Sequence, residues 1–323
     1  MSTANHRLRL TMACLDYDRV KPLMTGQVKP DGIDLNILTL PADYSVWPMI
    51  RHQEFDVSEM TLASYTVLRA RGDAPYIGIP AFLARTFVHA GLFVNAKSGI
   101  REPKDLHGKR VASGQYLMTF AGWVRGILQN EYGVDLSKID WRTGRPEAEL
   151  RLPGEMRVSL LPDGPPLPDR LEAGEIDALI APRIPAKFRA HPHVRPMFPD
   201  ARAVELEYFK KTGVFPILHL VVIKESIYRE HPWVASSLMR AFNEAKDVCY
   251  KDLAETLEGT KYTVPWLDSH LTDVRAQLGE DFWPYGVKRN RAALETYGRY
   301  LHQQHFVERP VAAEELFAPN AQE

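Results

Sequence analysis

The chain is poor in cysteine, has no long apolar run, and carries no excess of either charge. Its two cysteines, Cys14 and Cys249, have no paired spacing. That argues against a disulfide framework or a cysteine-based zinc site and suits a reducing compartment. No stretch of about 18 apolar residues occurs, so no membrane-spanning helix is expected. The 40 basic and 41 acidic residues leave a formal net charge of -1, without the basic surplus of a nucleic-acid binder. No GxGxxG or P-loop phrase is present, so nucleotide binding has no support. The first residues, MSTANHRLRLTMACLDYDR, hold an apolar stretch too short for a signal peptide and broken by Thr11. A cytoplasmic protein is the expectation.

What is present is an ordinary globular composition, 45% hydrophobic and 25% charged over 323 residues, enough for one large domain or two smaller ones. One phrase occurs twice, about 120 residues apart: RHQEFDVSEMTLASY (Arg51–Tyr65) and LEAGEIDALIAPRIP (Leu171–Pro185). Each copy ends a polar-faced helix, passes through a Glu, an apolar residue and an Asp, and continues as a short apolar strand. Two similar α/β lobes with a small molecule held between them are expected.

The first part alternates strand candidates with helical stretches. The strands are Leu8–Leu15, Ile33–Leu38, Phe55–Ser58 and Tyr76–Pro80. Tyr44–His52 reads as a helix, with Val46, Met49 and Ile50 at helical spacing and Asp43 as its N-cap. Such alternation predicts a mostly parallel sheet that binds ligands at its strand carboxyl ends. AFLARTFVHAGLFVNA (81–96) reads as one extended segment crossing from the first sheet to the second. The second lobe then has strands at Arg110–Ala112, Val158–Leu161 and DALIA, with a helix striped by Phe120, Val124, Ile127 and Leu128. Pro216–Ile223 reads as a buried returning strand. Helices follow over His231–Asp252, Leu267–Leu278 and Arg289–Gln304, with a peripheral tail after Arg309. The expected division is lobe I from residues 1–85 and 205–323, lobe II from 86–204, and hinges near 81–90 and 204–216.

These blocks resemble the 4,5-dihydroxyphthalate decarboxylase family, itself similar to type II periplasmic binding proteins. The specific combination is YDR (Tyr17–Arg19), EFDVSEM (54–60), Arg125-Gly126 and FPILH (215–219), and the likeness covers about residues 15–250. The resemblance implies a two-lobed α/β, type II periplasmic-binding-protein-like fold with a ligand cleft between the lobes. It also implies cofactor-independent decarboxylation of a hydroxylated aromatic acid, 4,5-dihydroxyphthalate giving protocatechuate, with no metal. The partner is a small aromatic carboxylate, with neither nucleic acid nor membrane; the sequence leaves room for a homo-oligomer. There are two departures. The family's Ser-Arg-x-Phe-Arg-His-Ser is here Ala84-Arg85-Thr86-Phe87-Val88-His89-Ala90, and its Gly/Glu-rich loop is shortened to TGRPEAELRLPG (143–154). The alternative reading is a transporter's solute-binding protein for an aromatic or other organic anion, which needs no acid.

Decarboxylating a ring acid without a cofactor requires cations for carboxylates, a proton donor and an acceptor for ring hydroxyls. Arg85, on the crossing segment, offers a fork for a carboxylate. His89, four residues on, shares its face if the strand is extended, and is a candidate acid or carboxylate donor. His219 interrupts an apolar strand and so needs a partner; it is a candidate general acid. Glu59, after the first-copy strand, is a candidate acceptor or proton donor. Arg183, at the carboxyl end of DALIA, is a candidate anion contact. Gln115, Tyr116 and Thr119 sit where a helix N-terminus favours carboxylates. Asp16 and Tyr17 follow strand one and are candidate rim residues. Arg19 is read as a local cap or salt bridge, Arg125 as structural, and the pairs His191/His193 and His302/His305 as surface histidines.

Overall fold

The computed structural model describes residues 7–146, 156–183, 185–255 and 262–323. Its strands are β1 (Leu8–Cys14), β2 (Ile33–Thr39), β3 (Val57–Thr61), β4 (Tyr76–Arg85), β5 (Leu92–Asn95), β6 (Arg110–Ser113), β7 (Asp140–Thr143), β8 (Val158–Leu160), β9 (Ala178–Ile180), β10 (Val194–Pro196) and β11 (Ile217–Lys224). They form two sheets, ordered β2-β1-β3-β11-β4 and β10-β5-β9-β6-β7-β8. Each sheet has a parallel part, β2-β1-β3 in one and β9-β6-β7-β8 in the other. Each also has antiparallel strands on the side where the chain crosses between lobes: β11 against β3 and β4, and β5 against β9 and β10. In each sheet a single strand, β11 or β5, runs against the others, so both sheets are mostly parallel, as expected, with one reversed strand where the chain crosses between the lobes. No described helix is long and apolar enough to cross a membrane.

The repeated phrase has one structural job in both lobes. Asp56 stands just before β3 and accepts the backbone N–H of Thr11 on β1 at 2.9 Å. Asp177 stands just before β9 and accepts the backbone N–H of Arg110 on β6, also at 2.9 Å. Each carboxylate pins the start of its own strand to the neighbouring strand. The helix before each ends in a left-handed residue, Gln53 in one copy and Gly174 in the other.

Three local expectations change. The segment 81–96 is not one extended run: β4 continues to Arg85, a 3-10 turn follows at His89–Gly91, and β5 begins at Leu92. The turn is tight, since a Cβ on Gly91 would lie 2.3 Å from the Phe120 ring. The helix Ala42–His52 starts at Pro41 as N-cap, upstream of Asp43. The tail after Arg309 is not peripheral. Phe317 pairs with Gly78 on edge strand β4 and packs edge-on against Phe82 at 5.9 Å. Tyr65 clamps the arrangement by donating to Leu316 O at 2.5 Å and accepting from Gly78 N at 2.7 Å. An edge strand left open is a liability, and the tail covers this one.

The return from lobe two includes a helix, Ala201–Thr212, capped by Asp200, whose carboxylate accepts from Ala203 N at 3.1 Å. The lobes share one main core. Its tightest contact is between the helices Thr119–Tyr132 and Val287–Gln303, where Gly122 meets Tyr297 and Gly126 meets the Tyr300 ring. A Cβ on Gly126 would lie 2.0 Å from Tyr300 Cδ2. Gly126→Ala should destabilise the fold by about 1–3 kcal/mol through overpacking. A lowered urea midpoint checks this; an unchanged midpoint would show that Tyr300 yields freely.

Candidate active site

A cleft of about 1000 Å³ opens between the lobes. Leu15 and Tyr17 reach it from the end of β1, Thr61 from β3, Arg85 from β4, and Leu218 and His219 from β11. The second lobe contributes Gln115 and Thr119 beside the helix Thr119–Tyr132, Arg145 after β7 and Arg183 after β9. Most of these positions lie at or just beyond strand carboxyl ends, where open α/β sheets place their ligands.

A hydrogen-bonded pair lies at and beneath the cleft floor. Glu59 on β3 is fully buried. Its Oε1 is 2.5 Å from His219 Nδ1 and accepts the Tyr17 hydroxyl at 2.5 Å, while Oε2 accepts the Leu15 backbone N–H at 2.9 Å. Strand register builds the pair: His219 stands opposite Thr61, so Glu59, two residues along β3, is its diagonal neighbour on the same face. The β11–β4 ladder slips on both sides of His219. Such irregularities re-aim side chains, and here both Leu218 and His219 line the cleft. Burial pushes the Glu59 carboxyl pKa up, but the charge and hydrogen bond of His219, with the bonds from Tyr17 and Leu15, outweigh it and hold the group below its ordinary value. With Glu59 ionised, Nδ1 donates to it and Nε2 is left for the cleft.

The described lining residues include Arg51, Arg85, Arg145, Arg183, His52 and His219, and no Asp or Glu. Arg85 is the deepest of these cations, 7% exposed. It donates to Phe215 O at 2.7 Å and Pro284 O at 3.2 Å, and no described carboxylate lies within ion-pair distance. Burial draws its pKa down to about 9, against the opposing charge of Asp281. A guanidinium in that state gains from an arriving carboxylate. Thr119 joins the lobes, its Oγ1 accepting from Ala63 N at 3.0 Å.

No protein-family model matches. A 4,5-dihydroxyphthalate decarboxylase from Comamonas testosteroni is 34% identical over 321 residues, covering 97% of each chain. One from Pseudomonas putida is 33% identical over 213 residues, 64% of this chain and 83% of that one. The chain belongs to the 4,5-dihydroxyphthalate decarboxylase family. Among solved structures, the periplasmic aliphatic sulphonate binding protein of Escherichia coli aligns with a TM-score of 0.53 at 14% identity, over 98% of both chains. A DSZB variant in complex with biphenyl-2-sulfinic acid aligns with a TM-score of 0.53 at 16% identity, also over 98% of both. These likenesses show the two-lobed type II periplasmic-binding-protein-like fold.

Within this family member, Glu59, Tyr17, His219, Arg85, Gln115, Thr119 and Arg183 converge at the cleft or directly beneath it. Three other candidates do not. Tyr116 is fully buried against Trp141 and Phe306, with the Arg125 guanidinium 3.8 Å above its ring. Asp16 is exposed and outside the lining. In both cases the flanking residues, Gln115 and Leu117 or Leu15 and Tyr17, line the cleft, and the residue between them does not. His89 lies in the 3-10 turn rather than on a strand with Arg85, and is enclosed by Tyr132, Phe198 and Tyr208. Val88, which stands where the family has Arg, is also buried outside the lining. Arg19 does bridge locally to Asp18, and it also stacks over Tyr17 and Trp283.

Sequence reading missed Trp47, Arg51, His52 and Arg145. Trp47 and Arg51 are one helical turn apart, with the guanidinium 5.6 Å from the indole ring; that i, i+4 spacing was the available signal. Arg145 belongs to the shortened loop, of which residues 147–155 lie outside the described residues.

The placement of His89 has a consequence for stability. Burial lowers its pKa from 6.5 to about 4, against the opposing charge of Glu131. Between those values the unfolded chain binds a proton that the folded chain refuses. The contribution is therefore full above about pH 6.5 and lost as pH falls toward 4, on the order of 2 kcal/mol. Urea unfolding at pH 7 and pH 4.5 should show a steeper loss for the wild type than for His89→Leu. Equal losses would contradict this.

Proposed function

We propose that this chain is a carboxy-lyase that converts 4,5-dihydroxyphthalate to protocatechuate and CO2 without a cofactor. The observation that carries the reading is the buried Glu59 carboxylate holding Nδ1 of cleft-lining His219, in a cleft lined by cations and no acid among the described residues. Each hydroxyl of this substrate is para to one carboxylate. Release of a hydroxyl proton to water in the open cleft pushes electron density onto the ring carbon bearing that carboxylate. Nε2–H of the His219 imidazolium gives its proton to that carbon. The bond to the carboxylate then breaks, its electron pair returns to the ring, CO2 leaves, and the phenolate regains a proton. The net change consumes one proton, which His219 recovers from solvent.

Glu59 stabilises the imidazolium and fixes its orientation. Arg85 takes a carboxylate deep in the cleft, and Arg183 meets the ligand from the other lobe. Gln115 and Thr119 present it with the N-terminal end of a helix. Lobe closure would shield the reacting carbon from water. We take the compartment to be the cytoplasm, which suits two buried, unbridged cysteines.

The test is to incubate purified protein with chelator and 4,5-dihydroxyphthalate and follow products by chromatography. Many turnovers to protocatechuate are expected. Tight binding without turnover would instead support the solute-binding reading. His219→Asn should lower kcat by about 10²–10⁴-fold and change KM only a few-fold. An unchanged kcat would remove His219 from the mechanism.

A further inference from the structure

We propose that Tyr17 is a positioning residue: its hydroxyl shares the Glu59 carboxylate with His219 and so sets how readily His219 gives up its proton. The inference rests on His219 being the proton donor. Tyr17 lines the cleft, and a rim tyrosine would ordinarily be taken as a substrate ligand. Its geometry says otherwise. The hydroxyl has one proton, and that proton is donated to Glu59 Oε1 at 2.5 Å. The ring is held from behind by Arg19, whose guanidinium carbon lies 4.3 Å from the Tyr17 centroid and 4.1 Å from that of Trp283. Arg19 is itself anchored by a bond to Leu83 O.

The decisive feature is that Tyr17 and His219 converge on the same oxygen, Oε1, while Leu15 occupies Oε2. Two donors to one oxygen divide its charge. Burial and the Glu59 charge push the Tyr17 pKa well up, so the hydroxyl stays a donor throughout the working range. With Tyr17 in place, Glu59 holds the imidazolium less tightly than it would alone, and the Nε2 proton is more easily given away. Other charged or titratable groups near the pair are Cys14 and Asp16 at the end of β1, Arg19 beyond it and Arg85 on β4. Arg51, His52, Arg145 and Arg183 line the same cleft. A tyrosine-to-phenylalanine change leaves all of these in place.

Two readouts test the proposal in the full-length protein. In Tyr17→Phe the alkaline limb of the kcat profile should move up by about half a pH unit or more, with kcat on the plateau falling about two- to tenfold and KM changing less than about twofold. The Nδ1–H proton resonance of His219, identified by its loss in His219→Asn, should move downfield as His219 becomes the only side-chain donor to Glu59. An unmoved resonance would overturn the proposal. So would a tenfold rise in KM with the limb in place, which would make Tyr17 a substrate ligand. If His219→Asn keeps its turnover, the assignment of the acid fails separately, and the resonance still decides what Tyr17 does to the pair.

Discussion

A carboxylate without solvent contact sits at the meeting point of three strands, and the site depends on how that burial is compensated. Glu59 takes its donors from three places: the backbone just past β1, the Tyr17 side chain and the ring on β11. An unpaired buried carboxylate would be strongly destabilising. Its presence therefore fixes the relation of β1, β3 and β11 to one another, and with it the position of the cleft floor. The same bonds hold His219 in one orientation. In the proposed mechanism, the electrostatic arrangement that stabilises this corner of the fold also prepares the ring for proton transfer.

The second constraint is the opposite imbalance at Arg85, a buried cation whose described partners are two carbonyls. The loop carrying Pro284 is braced by Trp283, which donates to Phe82 O at 2.8 Å, and by Lys246, whose ammonium contacts Asp281 at 2.8 Å. The Arg85 cation, with no described carboxylate to relax onto, has its charge to offer the ligand carboxylate of the proposed reaction. Arg85 and His219 occupy adjacent antiparallel strands and line the same cleft. The lobes meet around this point through firm contacts, including the Trp123 indole donating to Ile217 O at 2.9 Å.

Much of the architecture was legible because it is written in local pattern. The helix Leu267–Leu278 falls where its apolar spacing put it, and the paired phrases around Asp56 and Asp177 mark matching strand starts. Glu59, Arg85, Arg183 and His219 were singled out as charged or polar residues at strand ends or inside apolar runs. Their grouping was not legible, because Glu59 and His219 are 160 residues apart and meet only through the register of β3 against β11. Tyr116 and Asp16 each lie between two residues that line the cleft, a difference of one position, and His89 depended on a strand that ends four residues before it, at Arg85. The tail around Phe317 looked peripheral because its partner is the open edge of β4, which no local pattern in the tail announces.

In the proposed reaction the ring sits over the Glu59–His219 pair with a carboxylate on Arg85. A crystal structure of His219→Asn with 4,5-dihydroxyphthalate bound tests it most directly. The account predicts one ring carboxylate on Arg85, and the carbon bearing the other within about 3.5–4 Å of the residue 219 side chain. A ligand seated against Trp47 and Arg51, with residue 219 out of reach of the ring, would contradict it.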